Sequence, residues 1–126
     1  GAAHSAANPL TAHYNVVHGQ AVGIMLPHVV RFNAAAETIA DGYAALVKDT
    51  AVASSNGTLS AEALAQAMEA LLDSANLPRD LTAFGVDAAQ LETLSGEAAQ
   101  QWTASFNPRD ITAADFTGLY QKAFAS

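Results

Sequence analysis

The stretch GAAHSAANPLTAHYNVVHGQAVGIMLPHVVRFN, residues 1–33, decides the fold because it predicts two successive helices joined by a short loop. Alanine, the best helix former, dominates residues 2–13 and predicts the first helix, in which Pro9 marks either the start or a kink. Residues 15–17, Asn-Val-Val, interrupt the helical pattern and predict the loop. The chain is therefore expected to open with closely packed helices.

The second helical segment opens at residues 18–20, His-Gly-Gln, and is apolar on nearly all sides as far as Phe32. A helix that is apolar all round belongs in the middle of a domain. Pro27 lies inside this segment and costs a backbone hydrogen bond there, so we expect a bend or a restart near Leu26.

Beyond this segment the chain keeps its helical pattern, and no stretch shows the alternation of apolar and polar residues that indicates a strand. We therefore expect an all-α domain of about six to eight helices without a sheet. Further helices are predicted from Asn33 to about Lys48, after an N-cap at Ser60, from Asp87 with Gln90 as its capping box to about Gln101, and from Thr112 with Asp115.

Length and composition restrict the class of protein. The 126 residues suit one domain, 1–126. A net charge of −7 with only five Lys and Arg argues against nucleic acid and anionic membrane surfaces as partners. The absence of cysteine excludes disulfides and thiolate metal sites. No apolar run reaches the ~20 residues of a membrane span and the start lacks a signal-peptide pattern, so we expect a soluble cytoplasmic protein.

Histidines are concentrated at the start of the chain, at His4, His13 and His18. Imidazole is a good ligand for Fe(II), Zn and Ni. His4 lies on the first predicted helix and His18 begins the second segment, so two neighbouring elements could direct both rings to one point. Two imidazoles fill half a tetrahedral site, and the first 36 residues contain no Asp or Glu. The residues alone leave open a metal pair with further ligands from elsewhere and a purely structural role.

Three stretches together resemble the C-terminal, all-helical, metal-binding domain of the iron-containing (group III) alcohol dehydrogenases, whose fold is shared with dehydroquinate synthase. They are residues 1–10, GAAHSAANPL, residues 13–21, HYNVVHGQA, and residues 24–33, IMLPHVVRFN. Later segments agree more weakly, among them residues 107–109, Asn-Pro-Arg.

This resemblance implies that His4 and His18 are metal ligands, with Fe(II) or Zn as the metal. It also implies that an Asp and a His ligand lie upstream of this segment, together with a nucleotide-binding domain for NAD(P) that is missing from 1–126. The implied reaction is NAD(P)-linked oxidation of a small alcohol, or reduction of an aldehyde or ketone, with the metal as Lewis acid. The isolated chain is therefore expected to be inactive.

One position departs from the family pattern. Many members carry a further histidine one helical turn after the first ligand, and here that position is Asn8. Residues four apart share a helix face, so Asn8 is expected to line the substrate pocket beside His4. Asparagine forms hydrogen bonds but does not relay a proton near neutral pH, which puts any mechanism that uses a histidine there in doubt.

Other residues receive plainer interpretations. His13 is expected on the surface or between domains, and His28 in a structural hydrogen bond. Trp102 and Phe106 are expected to pack between helices. The carboxylates of Glu62, Glu69 and Asp73 are expected to form a solvated helix face.

Two alternatives to the enzyme remain open. The chain is either a free-standing helical module that forms homo-oligomers through an apolar interdomain face near residues 2–26, or a metal binder without catalytic activity.

Overall fold

The computed structural model describes residues 1–54 and 56–124, and within these ranges it contains helices and no strand. This confirms the all-α prediction. None of these helices is long and apolar enough to cross a membrane. The α-helices are α1 (Ala2–Tyr14), α2 (His18–Asn33), α3 (Glu37–Val47), α4 (Gly57–Ser74), α5 (Leu91–Gln100) and α6 (Ala113–Phe124), with short 3₁₀ helices at Leu81–Phe84, Ala88–Gln90 and Trp102–Phe106.

The main hydrophobic core lies between α1, α2, α5 and α6. Alanines on the inner face of α1, such as Ala6 and Ala7, are fully buried and let the neighbouring helices approach closely. Phe116 and Tyr120 of α6 fill the space that these small residues leave. A smaller cluster joins α2 to α3 and α4. The first two helices therefore take part in most of the packing, as their apolar sequence predicts.

Both prolines of the N-terminal region lie inside uninterrupted helices. α1 begins at Ala2 and runs through Pro9, and α2 runs through Pro27, so the predicted start at Pro9 and restart near Leu26 were wrong. Both rings are fully buried. Because neighbouring helices pack around these segments, the burial of apolar surface offsets the hydrogen bond that each proline removes.

Three predicted helix starts also need correction. Asn33 ends α2, and α3 begins at Glu37 after a short turn. The N-cap of α4 is Asn56, whose side chain accepts hydrogen bonds from two backbone N–H groups, whereas Ser60 is buried inside the helix. Asp87 caps the 3₁₀ helix that precedes α5. Only for α4 did a better capping residue stand nearby, because the N-cap of α3 is Ala36, which forms no side-chain hydrogen bond.

The last helix begins as predicted, with Thr112 and Asp115 forming a reciprocal cap. The Thr112 backbone N–H donates to Asp115 Oδ2 at 2.9 Å, and the Asp115 N–H donates to Thr112 Oγ1 at 3.3 Å. This cap satisfies donors at the start of α6 that have no partner within the helix.

The carboxylates of α4 are ion-paired. Glu62 and Asp73 remain solvated as predicted, with 43% and 59% of their side chains exposed, whereas Glu69 is 14% exposed and departs from the prediction. The Arg31 guanidinium, on α2, donates to Glu62 at 2.8 Å and to Glu69 at 2.6 Å. Arg79 pairs with Glu69 and Asp73. Hydrogen bonds from Arg31 lower the pKa of both Glu62 and Glu69. The sequence spacing placed these carboxylates on one face correctly, but α2 covers part of that face.

An amide pair fastens the segment after Trp102–Phe106 to the end of α2. The Asn107 side chain donates to Asn33 Oδ1 at 2.7 Å, and the Asn33 side chain donates back to Asn107 Oδ1 at 3.2 Å. Arg109 donates to the Phe32 carbonyl at 2.7 Å and lies over the Phe32 ring at 3.9 Å. The Asn-Pro-Arg sequence is thus a structural clamp, and it holds the adjoining 3₁₀ helix beside α1.

His28 is buried within α2, with only 5% of its surface exposed. Burial, with help from the charge of Arg31, lowers the pKa of His28 from its usual value near 6.5. Lys122 and Arg79 also lower this pKa, while Glu69 opposes them. The ring is therefore neutral in the folded protein at neutral pH.

We expect the free energy of unfolding to fall as the pH drops below about 6.5, because the unfolded chain then takes up a proton that folded His28 does not. The slope is at most about 1.4 kcal/mol per pH unit. Urea titrations from pH 7 to 5 should show a shallower decline for His28→Gln than for the wild type. Parallel curves for the two proteins would show that His28 does not contribute, since the carboxylates titrate alike in both.

Candidate metal centre

The structure brings His4 and His18 together. The centroids of the two imidazole rings are 4.8 Å apart and the ring planes meet at 62°. Both side chains are exposed at the surface. The two rings therefore lie close together in the folded chain, as predicted. Because both are exposed, a ligand from outside residues 1–126 can reach them.

The loop between α1 and α2 produces this arrangement. Asn15 adopts a left-handed conformation, with φ of 54°, and its N–H donates to the Thr11 carbonyl, which ends α1. Thr11 also donates to the Val16 carbonyl at 2.9 Å, which holds the loop against the helix. His18 is the first residue of α2, whereas Tyr14, the last residue of α1, lies roughly 15 Å along the helix from His4. The loop must therefore return the chain toward the start of α1.

As a result, the rings meet beside the N-terminal turns of both helices. His4 lies in the first turn of α1 and His18 begins α2. Side chains on a helix tilt toward its N-terminus, where unpaired N–H groups carry a partial positive charge. Two neutral imidazoles suit a divalent metal, but this local field disfavours an uncompensated cation. The two imidazoles fit half of a metal site, and an anionic ligand would complete it and balance the charge.

The described ranges contain no group of three or more His, Asp or Glu side chains arranged to hold a metal ion. The His4–His18 pair therefore has no third ligand of these types among the residues that the structure describes. A complete tetrahedral or larger coordination sphere needs donors beyond these residues.

Asn8 lies one turn beyond His4 on the same face of α1 and is half-buried. Its side-chain Nδ2 donates to Gln101 Oε1 at 2.9 Å. Beside this contact, the hydroxyls of Ser5 and Thr103 form a buried hydrogen bond of 2.7 Å. The segment at the end of α5 thus borders the candidate centre, a placement that no local sequence signal at Gln101 predicts.

The other histidines lie apart from this pair. His13 is on the surface, as expected, and its Nε2 is 2.8 Å from Glu97 Oε2. His28 is buried in the helical core, as its structural interpretation requires. Neither one forms the ring contact that joins His4 and His18.

Two expectations about apolar surface were wrong. Trp102 and Phe106 do not pack between helices: they are 73% and 69% exposed and contact each other edge-on, with ring centroids 5.5 Å apart. Among residues 2–26, Val17 is the one large hydrophobic side chain that the described structure leaves well exposed. The predicted apolar face is absent there because α5, α6 and the 3₁₀ helices cover that part of the core.

A depression of about 460 Å³ lies between the start of α3 and the start of α4. Its lining includes Glu37, Asp41 and Asn56, and none of the candidate metal residues. It is therefore separate from the histidine pair.

The helical architecture matches one part of an oxidoreductase of known structure that is longer than this chain. A crystal structure described as 1,3-propanediol oxidoreductase superposes with a TM-score of 0.89 at 25% sequence identity, and the match covers 98% of this chain and 32% of that one. The sequence is 32% identical to lactaldehyde reductase of Escherichia coli (strain K12), covering 98% of this chain and 32% of the relative. It is 29% identical to 1,3-propanediol dehydrogenase of Klebsiella pneumoniae, with the same coverage of 98% and 32%.

Residues 1–124 match the C-terminal part of the Fe-containing alcohol dehydrogenase family. The chain belongs to that family, and the resemblance read from its first 33 residues is confirmed. It spans about a third of the length of the curated relatives it matches, 32% of lactaldehyde reductase.

Proposed function

We propose that residues 1–126 form the metal-binding domain of an NAD(P)-dependent alcohol dehydrogenase, in which His4 and His18 supply two ligands to one Fe(II) or Zn ion. The observation that carries this proposal is the 4.8 Å separation of two exposed imidazole rings from different helices. Imidazole nitrogen is a suitable donor for either metal.

The remaining ligands are proposed to come from a nucleotide-binding part of the protein outside residues 1–126. The meeting of two helix N-termini beside the rings favours an anionic ligand, and a carboxylate provides one. An Asp and a His supplied from outside would complete four-coordination around the pair. Both rings are exposed in this chain, so such a part can reach them.

When bound, the metal would supply Lewis acidity and the nicotinamide cofactor would supply hydride-transfer chemistry. His4 and His18 would hold the metal from two helices whose positions are set by the core. Asn8 borders the same face and binds the substrate or cofactor by a hydrogen bond. Because an amide does not titrate near neutral pH, Asn8 holds and orients a group but does not move a proton.

The proposed substrates are small alcohols and the corresponding aldehydes or ketones. Two similar enzymes are named for lactaldehyde and for 1,3-propanediol, which are small and polar. A second domain that covers this exposed histidine pair would enclose a pocket of a size that suits such substrates.

We expect the 126-residue chain alone to show no NAD(P)-linked alcohol oxidation, because it supplies two of the four proposed ligands and the nucleotide-binding part is proposed to lie outside it. The longer polypeptide that also carries the proposed nucleotide-binding part should oxidise 1-propanol or 1,2-propanediol when loaded with Fe(II) or Zn. Absorbance of the reduced nicotinamide measures both.

Activity of the short chain would contradict the proposed division of the site. Stoichiometric metal uptake by a longer polypeptide that oxidises no alcohol would instead support a metal binder without catalytic activity.

A further inference from the structure

The first turn of α1 has no side-chain cap, although it carries His4. Its N-cap is Gly1, which forms no side-chain hydrogen bond to the backbone N–H groups at this end of the helix. Helix ends open more readily than helix interiors, because their outermost N–H groups have no partner within the helix. Movement of this turn would carry His4 away from His18. The distance between the two rings therefore depends on a contact that holds the turn in place.

A buried hydroxyl pair supplies that contact. The Oγ atom of Ser5 and the Oγ1 atom of Thr103 are 2.7 Å apart, across 98 positions of the chain. Ser5 is fully buried, and only 8% of Thr103 is exposed. We propose that Thr103 is a positioning residue, which holds the first turn of α1 through Ser5 and thereby keeps His4 beside its partner ring. The use of this positioning in metal binding rests on the proposed function.

The two hydroxyls can form this bond whichever of them donates, because each one both donates and accepts. Ser5 Oγ donates to the Gly1 carbonyl at 3.3 Å, so it can accept from Thr103 Oγ1 at the same time. Both hydroxyls are shielded from water, so breaking the bond has a cost in free energy that water does not offset. The bond therefore favours the conformation in which the first turn stays against Thr103.

The segment that bears Thr103 is itself held by α2. Thr103 lies in the 3₁₀ helix that precedes Asn107, and the Asn107 side chain donates to Asn33 Oδ1, at the end of α2, at 2.7 Å. The same helix α2 begins with His18. Thr103 therefore connects the turn that bears His4 to the helix that bears the second ring.

Another hydroxyl pair in the domain provides a matched comparison. Thr117 Oγ1, on α6, donates to Ser95 Oγ, on α5, at 2.9 Å. Neither residue lies on α1 or α2, so loss of this bond should weaken the contact between α5 and α6 without moving His4. The two pairs therefore distinguish positioning of the ring from a general loss of stability.

The first experiment observes the two rings in the 126-residue chain without metal or cofactor. The ring centroids are 4.8 Å apart, so protons of His4 and His18 should show a nuclear Overhauser effect in NMR spectra. Thr103→Val keeps the branched side chain but removes the hydroxyl, and it should abolish this effect. Ser5→Ala removes the same bond from the other side and should do likewise. Thr103→Ser retains a hydroxyl and should preserve the effect.

Thr117→Val is the matched control and should preserve the effect between the rings, although it too removes a bond between two hydroxyls. An undiminished effect in both Thr103→Val and Ser5→Ala would overturn the positioning role. An equal loss in Thr117→Val, or the absence of the effect in the wild type, would also overturn it.

The second experiment measures metal affinity in the longer polypeptide. Residues that hold a ligand in place without touching the metal typically contribute about 10- to 100-fold to metal affinity. Because Thr103 acts through the backbone of α1 and not on the imidazole, we expect Thr103→Val to raise the Kd for Zn²⁺ by about 10-fold, the lower end of that range. Thr103→Ser and Thr117→Val should keep the wild-type Kd.

An unchanged Kd in Thr103→Val would overturn the role of Thr103 in metal binding and would leave the proposed function intact. If the wild type binds no Zn²⁺, the proposed function and the metal part of this inference both fail. The NMR measurement still tests whether Thr103 positions His4, because it needs neither metal nor activity.

Discussion

His4→Ala or His18→Ala is expected to lower metal affinity and alcohol oxidation by at least about 100-fold. Loss of residues that merely support a metal ligand typically costs 10- to 100-fold, so loss of a ligand itself should cost no less. The two rings lie 4.8 Å apart, so removal of either takes away one of the two ligands that this domain is proposed to supply. Metal content after dialysis and kcat/KM of the longer polypeptide provide the measurements.

His13→Ala is the matched control for these variants. His13 is also an exposed histidine of α1, but it pairs with Glu97 and not with the candidate ligands. We expect it to leave metal content and kcat/KM unchanged. Near-normal metal content in both His4→Ala and His18→Ala, or an equal loss in His13→Ala, would contradict the proposed metal pair.

Tyr120→Ala is expected to reduce the free energy of unfolding by about 3–5 kcal/mol, the range for deleting a large buried aromatic side chain. Tyr120 is fully buried where α6 meets α1, and its hydroxyl donates to the Ala6 carbonyl at 2.7 Å. Burial raises the pKa of Tyr120, which keeps the hydroxyl protonated and able to donate. Urea unfolding followed by circular dichroism would measure the change.

Tyr120→Phe separates packing from hydrogen bonding in this prediction. It keeps the ring and removes only the hydroxyl, so the expected loss is about 1 kcal/mol. Equal losses in Tyr120→Phe and Tyr120→Ala would show that the ring itself contributes little to the core. A loss below about 1 kcal/mol in Tyr120→Ala would contradict the large contribution to the free energy of unfolding that is expected from burial of the ring.

Local sequence signals predicted the helical class, and the family resemblance added the prediction that the two histidines meet. The periodicity of α1 and α2 and the short loop between them place His4 and His18 on neighbouring elements, and the Thr112–Asp115 cap is readable because both partners lie within one turn. Of the two alternatives for Pro9, the helix start is wrong because the local hydrogen-bond penalty was weighed without the tertiary packing that offsets it.

Long-range contacts escaped prediction for a related reason. Glu62 and Glu69 form a charged face by spacing alone, and only the position of α2 brings Arg31 against it. No local sequence pattern predicts the hydrogen bond between Gln101 and Asn8, because this contact depends on how helices that are distant in the chain pack together. The capping error at Ser60 arose where Asn56 offered an alternative four residues away.

The contacts that join the beginning of the chain to its end also have a consequence for synthesis. Ser5 bonds to Thr103, Asn8 to Gln101 and Ala6 to Tyr120, across 98, 93 and 114 positions. During synthesis, α1 leaves the ribosome long before Gln101, Thr103 and Tyr120 are made. Until then, the helix that bears His4 lacks these packing and hydrogen-bonding partners. Chains that are arrested before Tyr120 should therefore be cleaved by proteases more readily than the full chain, even though they already contain both histidines.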